Sequence, residues 1–464
     1  MSQLPKGWVG CKLGDVVDYG KTVKADMTNI DDDAWVLELE DLEKDSSKIL
    51  QRVSFGKRKP KSAKNAFKAG DVLYGKLRPY LNKMVVAPED GICTSEIIPL
   101  KVPTGLVDNR YLFYWLKGRI FGDYVNAVSY GVNMPRLGTK DGLNAPMVLA
   151  PTAEQTRIVE KLDEVLAQVD TIKARLDGIP AILKRFRQSV LAAAVSGRLT
   201  EEWRGTEPTD FNQSPITVGK ESINSPDTWA WTKLLDLAKL ESGHTPRKTV
   251  SEYWENGDVY WICLQDIRAA HGKIIEDTKF KPTMKGIENS SARLLPKGTV
   301  CFSRDISVGF TTIMGKEMST TQHFANWICG KQLFNKYLMF ALMAAKRHLT
   351  DTGQGTTVKT IYMPALKDFY LLTPPIEEQK EIVRLVDQYF AFADTIEAQV
   401  KKAQARVDKL TQSILAKAFR GELVAQDPGD EPADKLLERI AAARAEADAL
   451  AKTAKKVGRK QATA

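Results

Sequence analysis

Apolar residues recur at alternating steps of four and three along one stretch of this chain: Ile158, Leu162, Val165, Val169, Ile172 and Leu176, then Ile179, Leu183, Phe186 and Val190. The ladder returns 224 residues later as Ile382, Val386, Tyr389, Ala393, Ile396 and Val400, then Ala403, Val407, Leu410 and Ile414. A mean apolar step of 3.5 held over four heptads predicts a helix with a coiled-coil seam, not a strand. Each helix would be about 48 Å long at 1.5 Å per residue. The repeat is wider than the seam. Glu154–Leu199 aligns without a gap on Glu378–Leu423, with about 18 of 46 positions identical, where roughly 3 would match by chance. In a single chain, the simplest way to bury two matched stripes is against each other. The pattern therefore predicts an antiparallel pair.

The ends of the repeat carry helix punctuation. Thr152 and Gln155 have the spacing of a capping box, whereas the second copy is preceded by Pro374-Pro375. Gly197 and Gly421 stand where a left-handed residue would stop each helix. Pro180 should kink or break the first helix, because an interior proline costs about 3 kcal/mol.

Between the helices the period changes. Residues 1–150 read as a mixed α/β domain, with strand-like segments at Trp35–Leu39, Asp71–Tyr74, Lys83–Ala87 and Glu96–Val102, and Asp108 placed to cap a helix. Residues 151–204 hold the first repeat helix, and 205–226, rich in Thr, Pro, Ser, Asn and Gly, read as a linker. Residues 227–373 restate the first domain faintly. Pro5, Trp8 and Asp15 recur as Pro226, Trp229 and Asp236, and Asn109, Tyr111-Leu112 and Leu116 as Asn335, Tyr337-Leu338 and Leu342. Residues 374–424 hold the second repeat helix. The remainder, 425–464, is a tail, helical from Leu436 to Ala451 and ending in a basic, disordered terminus. The fold class is α+β: two mixed α/β domains separated by two long helices that pair as an antiparallel coiled coil.

Composition adds limits rather than a function. At 464 residues and 43% hydrophobic the chain has room for two or three domains. Its longest apolar run, Tyr337–Ala345, is far short of the ~20 residues that span a membrane, and no charged-then-apolar leader precedes Trp8. This predicts a cytoplasmic protein. Five scattered cysteines without a C-x-x-C pair suit reduced core thiols better than disulfides or zinc. No phosphate loop, no G-x-G-x-x-G and no paired histidine motif appears. Glu378-Gln379-Lys380 has the E-x-K ending of a nuclease motif. It lies on the first helical turn, however, where the dipole favours a carboxylate, and its twin Glu154-Gln155-Thr156 lacks the lysine. The expectation is a chain that is not an enzyme and binds no cofactor or metal itself.

A net charge of +9 points mildly to a polyanion. Lys57, Arg58, Lys59 and Lys61 crowd one segment of the first domain, with Lys64 and Lys68 just beyond. Lys76, Arg78, Tyr80, Asn82 and Lys83 form a basic turn interleaved with an aromatic. Asn133 and Arg136 lie in the glycine-bearing loop that follows. In the second domain the candidates are Arg268, Arg304, and Gln354, Thr356 and Lys359 in a second glycine-rich loop. Lysines in such loops neutralise phosphates, and Arg, Asn and Gln can read base edges bidentately.

The phrases Pro151 to Gln155, Val165 to Asp170, Leu183 to Leu191 and Gln412 to Leu423, in a domain–helix–domain–helix order, resemble the specificity subunits of type I restriction–modification enzymes, most closely their type IA subgroup. The resemblance implies two target recognition domains, each reading one half of a split, asymmetric sequence in double-stranded DNA. It also implies helices that act as spacer and docking platform. Two methyltransferase subunits would carry S-adenosylmethionine, and two restriction subunits would use ATP and Mg to translocate and cleave. Antiparallel helices of equal length give a pseudo-two-fold arrangement like that of the duplex, and about 48 Å spans roughly 14 base pairs. The competing classes are a stand-alone two-domain DNA-binding regulator and a coiled-coil interaction protein without nucleic acid. Salt-dependent DNA binding and capture of a methyltransferase discriminate among the three.

Overall fold

The computed structural model describes residues 4–205, 213–220, 225–354 and 359–461. The chain divides into two compact units, Met1–Asp177 with Lys402–Ala464, and Gly178–Lys401. Thr356 therefore lies outside the described residues.

In the first unit the strand Val9–Lys12 runs antiparallel to Pro146–Leu149 and ties the start of the chain to the segment before the first long helix. A three-stranded antiparallel sheet sets Val72–Gly75 between Met84–Val86 and Ile97–Leu100. A second sheet has the order Val23–Lys24, Asn65–Phe67, Gly91–Cys93, Trp35–Leu37, the last pair parallel. The four expected segments all contain strands, three of them trimmed at their ends and Asp71–Tyr74 shifted by one to Val72–Gly75. Val9–Lys12, Val23–Lys24, Asn65–Phe67, Gly91–Cys93 and Pro146–Leu149 are strands beyond those expected. Asp108 caps the helix Asn109–Lys117, its carboxylate accepting from the Arg110 and Tyr111 amides. That helix buries Tyr111, Leu112 and Trp115 in the main core.

The second unit repeats this plan. Ala230–Lys233 pairs antiparallel with Phe369–Thr373, as Val9–Lys12 does with Pro146–Leu149. Its main sheet has the order Ala238–Ser242, Phe324–Cys329, Val300–Ser303, Thr311–Met314, Ile274–Ile275. Part of the stretch read as a linker is structured: Ile216–Val218 is a strand on the free side of Phe369–Thr373, and Ile216 is fully buried.

The long helices are Thr152–Val195 and Ile376–Ala418. Pro180 sits inside the first without ending it, so of the expected kink or break the break does not occur. Proline removes one amide and one i→i−4 bond, and the neighbouring turns carry the helix through. The capping-box reading of Thr152 and Gln155 also gives way. Thr152 donates to the Leu106 carbonyl, while Gln155, fully buried, accepts from the Asp108 amide and donates to Ala150 O. Gln379 makes the same link in the second unit, accepting from the Phe334 amide at 2.7 Å and donating to the Pro374 and Gln332 carbonyls. Gly197 and Gly421 do stop the helices at φ 81° and 73°. Each leaves its backbone against a proline, Pro226 and Pro5, where a Cβ would approach to 2.7 and 2.4 Å.

Along the seam, burial is uneven. Ile158, Leu162, Ile382, Val386 and Ala393 are fully buried, Val169 and Val400 nearly so, and Val165, Leu176 and Ile396 are half-buried. Ile172 is 47% exposed and Tyr389 40%, although the Tyr389 ring meets Phe186 edge-on at 6.1 Å. The tail differs most from expectation. Ala433–Gln461 is helical through the stretch read as disordered, and Ala433, Leu436 and Ile440 are buried in the core of the first unit.

Candidate nucleic-acid interface

In the first unit the hairpin Val72–Gly75/Met84–Val86 is closed by a loop with two residues in left-handed conformation, Arg78 at φ 49° and Asn82 at φ 50°. Neither is glycine, and such residues cost on the order of 1–3 kcal/mol each and gather at functional sites. Backbone bonds hold the loop, among them Arg78 N to Pro135 O at 2.7 Å, Lys76 N to Glu96 O at 2.9 Å, and Leu137 N to Lys76 O at 3.1 Å. The last two tie it to a strand end and to the segment following a second loop. This second loop is pinched shut by mutual bonds between Tyr130 and Arg136. It presents Asn133 to solvent beside Tyr130, Val132 and Met134, with Val132 fully exposed.

The second unit builds the same site from different side chains. Its hairpin Val300–Ser303/Thr311–Met314 turns through Ile306 at φ 54°. Arg304 N donates to His323 O at 3.0 Å, Ile361 N donates to Arg304 O at 2.8 Å, and Gln354 and Thr360 exchange the bonds that Tyr130 and Arg136 exchange. Asn109 Nδ2 donates to Gly70 O and Asn335 Nδ2 to Gly298 O, which fixes the correspondence at the hairpin base. Comparing residue types misses the pairing of Arg78 with Ile306. Aligning Gly70-Asp71-Val72 on Gly298-Thr299-Val300 would have found it.

The expected contact residues divide by what already holds them. Lys57, Lys59 and Lys61 are exposed, and so are Tyr80, Asn133, Gln354 and Lys359. Lys76 and Asn82 are half-buried. Arg58 is turned inward: its side chain is 12% exposed and pairs with Asp41 at 2.7 Å and Glu38 at 3.4 Å. Lys64 pairs with Glu38 at 2.8 Å from a similar depth, and Lys68 meets Asp90. Lys83 donates to Leu39 O. Arg136 pairs with Glu96 at 3.1 Å, a contact that raises its pKa and keeps the guanidinium charged. Arg268 donates to Ser307 Oγ, and Arg304 reaches the Gln322 carbonyl while its buried Nε finds no partner among the described residues. The loops thus bring together a cationic and amide-bearing surface in each unit. Chemically, such a surface can neutralise phosphates and form bidentate bonds to base edges.

Reactive chemistry is sparse around these loops. Burial pushes the Cys93 and Cys329 thiols up to about 12, and burial with a nearby Lys346 lowers the pKa of His271. Glu378, of the E-x-K triplet, is fully buried and paired with Arg204 at 2.5 Å. Among the described residues no helix is long and apolar enough to cross a membrane.

Comparison with known proteins gives these surfaces a context. The model of the type I restriction modification DNA specificity domain matches residues 5–181 and again 226–404. The chain is 36% identical over 371 residues to the EcoKI specificity subunit of Escherichia coli K12, covering 74% of this chain and 73% of that subunit. It is 35% identical over 372 residues to the Escherichia coli EcoDI specificity subunit, covering 73% and 78%. Its fold is similar to a chain from a type I restriction–modification system solved to describe complex assembly, with TM-score 0.68, 19% identity and 91% and 100% coverage. It is also similar to the HsdS subunit of Thermoanaerobacter tengcongensis, with TM-score 0.59, 21% identity and 90% and 98% coverage. A family model that fits each half of the chain in turn, and relatives this close over most of its length, make it a member of the type I restriction–modification DNA specificity family.

Proposed function

We propose that this chain is the DNA-specificity subunit of a type I restriction–modification complex, each unit reading one half of a split, asymmetric sequence. The observation that carries the reading is the doubled site: the same strained hairpin turn beside the same pinched loop, with different side chains in each copy. One backbone frame with two side-chain sets suits two unlike half-sites. The exposed lysines at 57, 59 and 61 suit phosphates, and Arg78, Asn82, Asn133 and Gln354 suit base edges. The committed pairs of Arg58 and Arg136 favour a supporting role for both.

The two long helices pair antiparallel as spacer and docking platform. In the first unit Lys173 meets Asp408 at 3.0 Å and Asp177 meets Gln404 at 2.7 Å, so a step of four up one helix is a step of four down the other. In the second, Arg187 meets Asp394 and Glu397. The chain itself performs no chemistry. Two methyltransferase subunits carrying S-adenosylmethionine supply methylation, and two restriction subunits using ATP and Mg supply translocation and cleavage, all in the cytoplasm. Replacing residues 227–373 with the matching domain of a related subunit, then sequencing the methylome of the host, tests the modular reading. Only one half of the methylated sequence should change. A swap that altered both halves would defeat it.

A further inference from the structure

Beside the second unit's turn lies a cavity of about 610 Å³ with no role in the reading so far. Its walls are aromatic: Trp254 and Trp261 meet edge-on at 5.2 Å, and Phe280, 44% exposed and bridged through its backbone to Trp261, lines it as well. Both indole N–H groups are engaged by backbone carbonyls, Trp254 by Arg247 O and Trp261 by His244 O. The rings therefore make no polar demand on an occupant. Polar groups line it as well, Gln322, His323 and Lys248 among them. The Gln322 amide oxygen accepts from Thr245 at 2.7 Å, which leaves its NH₂ to donate, and His323 Nδ1 is held by Asp305 at 2.7 Å, which leaves Nε2. Lys248 adds an exposed cation.

The cavity and the turn share a wall. Arg304 binds the carbonyl of Gln322 through its guanidinium and that of His323 through its amide, each at 3.0 Å. At the matching place in the first unit, just after the strand Trp35–Leu37, Glu38, Asp41, Arg58 and Lys64 form a paired ionic cluster. Trp35 and Phe67 also meet edge-on there, but both are buried, whereas Phe280 in the second unit is 44% exposed.

We propose that this cavity receives a single nucleobase swung out of the stack of the bound duplex, stacked on the aromatic wall to which Trp254 and Phe280 contribute and read along one edge by Gln322 and His323. The proposal rests on the DNA-reading function above. A base edge within a groove cannot enter a recess walled by rings, whereas an unstacked base presents both a flat face and a hydrogen-bonding edge. The volume falls within the ~300–1,000 Å³ of small-ligand sites, and Lys248 suits the adjoining phosphate.

The experiment uses the chain assembled with its methyltransferase partners and the duplex that methylome mapping identifies. A single abasic site is walked through both strands of the second half-site while affinity is measured. At one base pair the strands should behave oppositely. Removing the base that fills the cavity should weaken binding on the order of ten-fold, as loss of one stacked base does. Removing its partner should tighten binding, because no pair then has to open. Gln322→Ala and Trp254→Ala should each erase this asymmetry while leaving salt-dependent binding to unrelated DNA intact. Binding that persists with no asymmetric position overturns the proposal and spares the function. Quenching by free nucleoside monophosphates without such a position overturns it in favour of a free-nucleotide site. Absence of any DNA binding removes both readings.

Discussion

The glutamate that opens each repeat helix, Glu154 in one copy and Glu378 in the other, is fully or almost fully buried in both. Its partners differ, and so should the result of replacing it with glutamine. Glu378 faces Arg204 at 2.5 Å, with side chains 0% and 3% exposed, and also accepts from Thr200 Oγ1. At an effective dielectric of 20, two unit charges at this distance attract by about 6–7 kcal/mol. Desolvating the ions costs several kcal/mol apiece, so the intact pair contributes little net stability. Breaking it is another matter, since a buried charge left alone costs about 3–5 kcal/mol. Arg204 keeps the Gly197 carbonyl at 2.9 Å, the Thr200 hydroxyl at 3.3 Å and the Trp229 face among its partners, which places Glu378→Gln at the low end, about 3 kcal/mol. Replacing both partners by methionine should return stability to within about 2 kcal/mol of the parent.

Glu154 instead accepts from the Trp8 indole at 2.8 Å, and its second oxygen has no hydrogen-bond partner among the described residues. An amide oxygen accepts from the indole equally well, so Glu154→Gln should change stability by no more than about 1 kcal/mol. Burial raises the Glu154 carboxyl above its ordinary range, against the pull of Trp8 and Arg157. A raised folded-state pKa means a contribution present below the unfolded value of about 4.3 and lost as pH rises through the folded one. Relative to the parent, Glu154→Gln should therefore fare better at pH 7 than at pH 4. Urea unfolding measures the totals, and hydrogen exchange should confine the Glu378→Gln loss to Gly178–Lys401. Equal losses in the two variants, or a Glu378→Gln chain as stable as the parent, would refute the reasoning.

Other outcomes follow from burial and backbone shape. Leu162→Asp, at a fully buried seam position, should cost several kcal/mol, while Ile172→Asp, 47% exposed, should cost well under half as much in the same denaturation assay. Replacing Lys57, Lys59 and Lys61 by alanine should lower the slope of log affinity against log salt by roughly one unit per lost phosphate contact without unfolding the chain. Arg58→Ala should leave that slope unchanged and instead destabilise the first unit by about 3–5 kcal/mol, because Asp41 loses its cation; the reverse pattern would place the phosphate contact at Arg58. Ile306→Gly should stabilise the second unit by about 1 kcal/mol through relief of the left-handed strain. Its binding to the mapped duplex should weaken even so, and unchanged binding would remove that turn from the interface.

Legibility in the sequence followed the range of the forces involved. The repeat helices are written locally, because a 3.5-residue period needs only neighbouring turns, and their glycine stops depend on a backbone angle that few other residues adopt. The strand Ile216–Val218 was hidden for the opposite reason: three residues draw their order from Phe369–Thr373, some 150 positions away. Thr152 and Gln155 had the spacing of a local cap, and a tertiary use of the same groups won. The second copy held the clue, since Glu378-Gln379 recurs where Ile376 replaces the threonine. A pair retained without its cap must serve something other than capping.

The basic segment shows the limit of composition as a guide. Lys57, Arg58, Lys61 and Lys64 look alike in sequence, yet Arg58 and Lys64 face carboxylates 17 and 26 residues back and only the others are free to meet a phosphate. Nothing in the spacing separates them, because the partners arrive through the sheet. The turn residues pose a subtler problem. Arg78 and Ile306 share no side-chain chemistry, so no comparison of residue types pairs them, yet they hold nearly the same φ between the same hydrogen bonds. In a protein whose two halves have to read different sequences, the side chains at the reading positions are what should diverge. The backbone that presents them has to stay fixed, even at the cost of strain. The candidate interface is therefore found by asking where the frame recurs while its side chains do not.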